Sequence, residues 1–132
     1  MTLVMALISL TVLTMTLLAV ELMFTYATLG FGYGFSANRA PVERSKLAKR
    51  IQNTYQNQVE ANAYAVPVLA AAALVGVHSP QAQTAALIFV LGRLAFAGLY
   101  YTGIPFVRVP AFLATNLALA YIVYAVLTSG LL

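Results

Sequence analysis

Long apolar segments are the feature that most constrains the fold of this chain. The segment from Leu3 to Phe24 is long enough to cross a hydrocarbon core of about 30 Å at about 1.5 Å per residue. Only 8% of the 132 residues are charged, whereas about a quarter are charged in a soluble domain. The sequence therefore predicts one all-α integral membrane domain over residues 1–132. We expect four transmembrane helices in a bundle, at about 3–24, 45–77, 84–101 and 110–132.

The basic residues predict how the bundle is oriented. A loop is predicted from Gly30 to Ser45, and most Lys and Arg residues fall in or just after it, at Arg39, Arg44, Lys46, Lys49 and Arg50. Such a cluster in a short loop marks the cytoplasmic side, while the turn at 78–83 carries no Lys or Arg. We therefore expect residues 38–50 to be cytoplasmic and both termini to lie on the opposite side of the membrane. The positive charge indicates topology first, and no nucleic-acid partner is predicted.

A polar stripe runs along the predicted second helix. Its members recur at steps of three and four residues, which places them on one helical face: Arg50, Asn53, Asn57, Glu60 and Tyr64. Asn57 and Glu60 are one turn apart, so an amide and a carboxylate can hold the same ligand or the same protein partner. A polar stripe in a membrane-length segment is costly unless something meets it.

Arg93 lies inside the predicted third span. An intramembrane arginine costs about 2.5–3.5 kcal/mol on insertion scales, so it needs an acceptor within the bundle. Glu60 is the expected partner, because Glu21 is close to an interface and Glu43 is in the loop. This ion pair would join helix two to helix three.

Five polar residues are expected at similar depth: Asn57, Glu60, Arg93, Tyr100 and Arg108. Together they could bind a small zwitterionic ligand, and a guanidinium shifts a nearby thiol toward the thiolate. The alternative interpretation is a structural network that fastens two helices, since ion-pair networks also perturb charges without catalysis. The chain has no cysteine and one histidine, so no metal site is predicted.

Three stretches, in this order, carry a resemblance to a known family: residues 31–41 (FGYGFSANRAP), 57–60 (NQVE) and 92–108 (GRLAFAGLYYTGIPFVR). With the length and spacing of the four spans, they make nearly the whole chain similar to the MAPEG family, membrane-associated proteins in eicosanoid and glutathione metabolism. The resemblance is greatest to the short bacterial members, and it implies an integral protein of a bacterial inner membrane.

The resemblance implies a homotrimer with glutathione bound between subunits near the cytoplasmic face. It implies thiolate stabilisation by Arg108, the candidate catalytic residue. The candidate glutathione-binding residues are Asn53, Asn57, Glu60, Arg93 and Tyr100.

The sequence departs from the family pattern at several positions. Asn53, Tyr55 and Gln56 stand where glutathione-using members have further basic residues. Val109 replaces a hydroxyl residue, and Phe112 stands where tyrosine is common. Because glutathione carries two carboxylates, the loss of basic partners predicts weaker binding.

Two functions of different classes are therefore expected. The first is a membrane-bound glutathione transferase or peroxidase acting on lipophilic electrophiles, with membrane lipids and a lipophilic small molecule as partners. The alternative is a non-catalytic or lipid-binding MAPEG-like protein whose polar network is structural. A small multidrug exporter ranks third, because Glu21 is too near the interface and the basic loop imposes a single orientation.

Overall fold

The fold is a bundle of four helices. A computed structural model describes residues 1–37, 44–104 and 106–132. Within these ranges it contains no strand, and its helices are α1 (Leu3–Phe35), α2 (Lys46–Leu74), α3 (Pro80–Thr102) and α4 (Arg108–Leu127). The predicted all-α, four-helix fold is confirmed. Arg39 and Glu43 of the predicted basic loop lie outside the described residues.

Three of the four helices are long and apolar enough to cross a membrane. These are α1, α3 and α4, whereas α2 does not meet the same criterion of length and composition. The reason lies in its first half, where residues 46–60 are largely polar or charged. Only its second half, from Ala61 to Leu74, has the composition of a membrane segment, and that half is too short to span alone.

Side-chain caps set the start of three helices. The hydroxyl groups of Thr2, Ser45 and Ser79 accept hydrogen bonds from backbone N–H groups three residues later. These bonds satisfy donors that have no partner inside the helix. Pro80 occupies the first turn of α3, where its missing N–H costs nothing. The helix therefore begins at Pro80 rather than at the predicted Thr84.

α1 extends beyond its predicted end, and the predicted loop is wrong over residues 31–35. The backbone breaks at Gly30, whose φ of 82° favours glycine, and helical structure then resumes as far as Phe35. Stacked rings hold this last part: Phe31 lies 5.3 Å from Tyr26 and 5.8 Å from Phe35 between ring centroids. Aromatic stacking therefore gives the segment a contact that the alternating glycines did not suggest.

Packing divides the bundle into an apolar half and a polar half. α1 packs mainly on α2, and α3 mainly on α4. The apolar core lies where the start of α1 and α3 meet the end of α2 and α4, and its fully buried members include Leu10, Leu69, Phe89 and Ile122. Buried alanines in α2 let the helices approach closely. The polar half contains the predicted site.

Candidate functional site

Arg93 is the centre of the polar half. Its side chain is 1% exposed, and its guanidinium lies 4.9 Å from the Phe96 ring centroid. Nε donates to Oε1 of Gln58 at 3.0 Å, and Nη2 donates to Oδ1 of Asn57 at 2.6 Å. The remaining nitrogen, Nη1, is buried without a hydrogen-bond partner among the described residues. One guanidinium nitrogen, with both of its N–H groups, is thus left without a partner in the described part of the chain.

The predicted ion pair between Glu60 and Arg93 does not form within a single chain, so this prediction is wrong there. Glu60 is exposed, and its carboxylate accepts a hydrogen bond from Nε2 of Gln56 at 3.3 Å. Arg93 instead enters between Asn57 and Gln58, so its partners are neutral amides. The charge of Arg93 is therefore not balanced by a carboxylate in the described part of the chain.

A chain of hydrogen bonds continues from Gln58 to α1. Nε2 of Gln58 donates to Oδ1 of Asn62 at 3.0 Å, and Nδ2 of Asn62 donates to Oγ1 of Thr14 at 2.8 Å. The Thr14 hydroxyl then donates to the Leu10 carbonyl at 2.7 Å. The sequence interpretation missed all three side chains, although two amides four residues apart on one face of α2 were a usable signal.

The second arginine of the site rests on an aromatic ring. The Arg108 guanidinium lies 4.4 Å from the centroid of Tyr100. Phe96 lies between the two arginines, 5.8 Å from Tyr100 and 6.0 Å from Phe112 between ring centroids. In the described chain, tilted ring contacts and cation–π contacts therefore connect Arg93 to Arg108, and no hydrogen bond joins them directly.

A further polar contact joins α2 and α4. Tyr64 Oη donates to Oδ1 of Asn116 at 3.2 Å. Tyr64 is two turns beyond Asn57, and Asn116 is two turns beyond Arg108, so this contact lies on the membrane side of both. It gives Asn116, the only strongly polar residue of its span, a partner within the bundle.

The predicted site residues fall into three groups. Asn57 binds Arg93 directly, and Tyr100 contacts Arg108. Glu60 faces outward. Asn53 is also exposed, and in the described ranges no hydrogen bond joins it to the other candidates.

An apolar groove is separate from these residues. It has a volume of about 650 Å³ between α3 and α4, and it lies toward the Pro80 end. Its lining is mainly apolar and includes Ile88, Leu117 and Tyr121. The chemistry of the arginines and the space for an apolar ligand therefore lie in different halves of a single chain.

Comparison with known proteins gives one match. The sequence model of the MAPEG family matches residues 1–128, which is nearly the whole chain. No curated protein and no solved structure matches the chain.

Proposed function

Because the chain belongs to the MAPEG family, we propose that it is a membrane-bound glutathione transferase or peroxidase acting on lipophilic electrophiles. The family includes glutathione transferases and peroxidase-like members. Glutathione would supply the thiol that attacks the electrophile or reduces the peroxide. The residues of this chain would bind the peptide, stabilise negative charge on sulfur and exclude water.

The free donor of Arg93 is the observation that carries the proposal. A buried cation without a neutralising partner is costly, and a bound anion would offset part of that cost. Nε and Nη2 already have acceptors, whereas Nη1 is buried and has none among the described residues, so it is the nitrogen that would donate to a ligand entering the site. A glutathione carboxylate is a suitable acceptor, because hydrogen bonds between guanidinium and carboxylate are charge-assisted.

Arg108 is suited to stabilising the sulfur. It is partly buried, it contacts the face of Tyr100, and in the described ranges its guanidinium makes no hydrogen bond to the protein. A guanidinium beside a thiol favours the thiolate, which is the nucleophilic form. The Phe112 ring, exposed one turn beyond Arg108 on α4, provides apolar surface near it, and that surface would receive the lipophilic electrophile.

The exposed face of α2 supports a homotrimer. Glu60 and Asn53 lie on this face, together with other exposed polar side chains at helical spacing, Gln52 and Gln56. Polar side chains at membrane depth need a covering partner. We propose that two further copies of the chain provide it. The site then lies between subunits, which would bring Glu60 and Asn53 to a ligand held by Arg93.

The proposed location is a bacterial inner membrane. Four basic residues of the described chain, Arg44, Lys46, Lys49 and Arg50, lie at the α1–α2 end of the bundle, where Arg108 also lies. By the distribution of positive charge this end is cytoplasmic. Glutathione, a cytoplasmic thiol, would then reach the site without crossing the membrane.

A binding and turnover experiment tests this function. Protein purified in detergent is titrated with glutathione in a thermal-shift assay and is then assayed for transfer to an aryl halide and for peroxide reduction. Ligand binding to the native state should raise the midpoint of unfolding. Arg108→Ala should lose turnover, whereas Arg44→Ala, which removes an arginine bound to Thr25 outside the site, should keep it. Absence of both affinity and turnover in the native protein would exclude the proposal.

The alternative function, a non-catalytic or lipid-binding protein, is favoured by one observation. Arg93 already has two protein acceptors, as a structural network requires, and the large apolar groove lies elsewhere. In that case Arg93→Leu or Glu60→Gln should disrupt assembly, and glutathione should cause no thermal shift.

A further inference from the structure

We propose that Thr14 and Asn62 are positioning residues that orient the Arg93 guanidinium through Gln58: Asn62 of α2 lies two hydrogen bonds away and Thr14 of α1 lies three away. This inference rests on the proposed function for its catalytic meaning. The structural part of the inference, that a hydroxyl group on α1 helps to orient Arg93 on α3, does not depend on that function. Neither residue was part of the predicted site, and neither contacts Arg93 directly in the hydrogen-bond chain.

The chain of hydrogen bonds has only one direction. Arginine can only donate, so the Gln58 amide must turn its oxygen toward Arg93 and its nitrogen away. That nitrogen needs an acceptor, and it finds Oδ1 of Asn62, whose own nitrogen then points to Thr14. Thr14 accepts this bond, and its hydroxyl donates a hydrogen bond to the Leu10 carbonyl. Each orientation therefore fixes the next one.

Burial restricts the Gln58 amide to one orientation. Gln58 is 1% exposed, so a reversed amide would leave buried donors facing each other. An unsatisfied buried donor or acceptor costs about 1–3 kcal/mol. The orientation at Arg93 consequently depends on an acceptor that another helix provides.

Other threonines of α1 show that Thr14 is distinct. The hydroxyls of Thr11 and Thr16 also donate to carbonyls four residues earlier, at 3.0 and 2.8 Å, but both side chains are exposed. Thr14 makes the same bond and in addition accepts one from Asn62. All three threonines therefore donate to a carbonyl of their own helix. Among them, Thr14 alone accepts a hydrogen bond from Asn62.

Loss of the Thr14 hydroxyl should change the orientation of the Arg93 guanidinium. Without that acceptor the Asn62 amide is free to rotate, and Gln58 loses the partner that keeps its oxygen toward Nε. The guanidinium would then change its tilt, and with it the direction of Nη1, the donor available to a ligand. The effect is on orientation, since neither charge nor volume at Arg93 is altered.

The experiment compares five substitutions. Thr14→Val keeps the shape and removes the hydroxyl, Thr14→Ala removes it without placing a methyl group against Asn62, and Thr14→Ser restores it. Thr11→Val and Thr16→Val remove hydroxyls that bond only to α1 itself. Two quantities are measured in detergent: proton exchange at Nε of Arg93 in protein labelled with ¹⁵N-arginine, and the dissociation constant for glutathione.

Thr14→Val and Thr14→Ala should accelerate Nε proton exchange severalfold and weaken glutathione binding about threefold, as expected for one interhelical hydrogen bond in a membrane protein. Thr14→Ser, Thr11→Val and Thr16→Val should match the native protein in both measurements. If Nε exchange is unchanged in both Thr14→Val and Thr14→Ala, the proposal is overturned. If exchange changes but even the native protein does not bind glutathione, the positioning chain stands and the proposed function fails.

Discussion

Arg93 combines full burial with neutral partners. A hydrogen bond to a charged group contributes about 1.5–3 kcal/mol, and the guanidinium makes two, to Gln58 and Asn57. Its planar fork allows both bonds at once, and the Phe96 ring supports its face. A lysine ammonium would be a compact point charge without this geometry, so the site depends on arginine rather than on positive charge alone.

Replacing Arg93 by Lys should therefore destabilise the protein although the charge is kept. We expect a loss of about 2–3 kcal/mol in the free energy of unfolding, because two amides lose a buried donor. Glu60→Gln should change this quantity by less than about 0.5 kcal/mol in the dissociated chain, since the carboxylate is exposed. Reversible unfolding in mixed micelles measures both. Equal effects of the two substitutions would contradict the observed partners of Arg93.

At Arg108 the expected effect is on turnover rather than on stability. Arg108→Ala should lower the rate of thiol transfer by about 10²-fold or more, the usual cost of removing one electrostatic stabiliser of developing charge. Arg108→Lys keeps the charge and should retain part of the rate. The steady-state rate with an aryl halide checks both, and full activity of Arg108→Ala would show that another group stabilises the sulfur.

The sequence predicted which polar residues lie in the same region but not which of them contact one another. Asn57, Arg93, Tyr100 and Arg108 were expected together, and the structure joins them as two contacting pairs. Glu60 was mispaired because it lies about 160° around α2 from Gln58, at about 100° per residue. A stripe defined only by steps of three and four cannot show which of its edges faces the neighbouring helix.

Between elements, α3 and α4 pack tightly where Gly92 faces Thr115. A Cβ atom at Gly92 would overlap the Thr115 methyl group, and Thr115 itself is fully buried. Glycine therefore permits a helix contact that any larger residue would obstruct. Such small-residue contacts are typical of membrane helices, where van der Waals packing replaces the hydrophobic effect between segments.

Gly92→Ala should consequently destabilise the bundle. We expect about 1–3 kcal/mol, the usual cost of overpacking. Thr115→Ser removes the obstructing methyl group but keeps the hydroxyl that donates to the Phe112 carbonyl. The double substitution should therefore recover most of the stability lost in Gly92→Ala. A thermal unfolding cycle of the four proteins provides the measurement, and additive losses would disprove the contact.

Helix positions were predictable where the sequence marks them with a local signal. Ser45 caps α2 within one residue of its predicted start, because a hydroxyl before a helical pattern identifies an N-terminus. The same signal at Ser79 was overlooked, so α3 begins earlier than expected. The end of α1 depends on stacking of Tyr26, Phe31 and Phe35, which is a contact in space that hydropathy does not report.

On the scale of the whole molecule, polarity is graded along the bundle axis. Leu10, Leu69, Phe89 and Ile122 fill one half, and Arg93 occupies the other. The basic residues after position 43 lie at the polar end. This gradient predicts a single orientation in the membrane.

Cysteine labelling can test that orientation directly, because the chain contains no cysteine. Lys46→Cys and His78→Cys place single thiols at exposed positions on opposite ends of the bundle. In spheroplasts, a membrane-impermeant maleimide should label His78→Cys before lysis and Lys46→Cys only after lysis. The reverse pattern would place the basic end outside the cytoplasm.

The proposed homotrimer should be detectable from the mass of the complex. Each chain has a mass of 14.1 kDa, and native mass spectrometry from detergent should show three copies. Gln56→Trp, on the exposed polar face of α2, should shift the distribution toward single chains, whereas Gln81→Trp, exposed at the other end of the bundle, should not. A native protein that is uniformly monomeric would leave the α2 face exposed to lipid and contradict the proposed trimer.

The position of Arg93 also has a consequence for biogenesis. α1–α2 and α3–α4 are two hairpins, and the amides that satisfy Arg93 all belong to the first of them. Newly inserted, the second hairpin carries an unsolvated guanidinium until the first one docks beside it. Because both of its acceptors lie side by side on α2, we expect the hydrogen bonds of Arg93 to form together when the two hairpins associate.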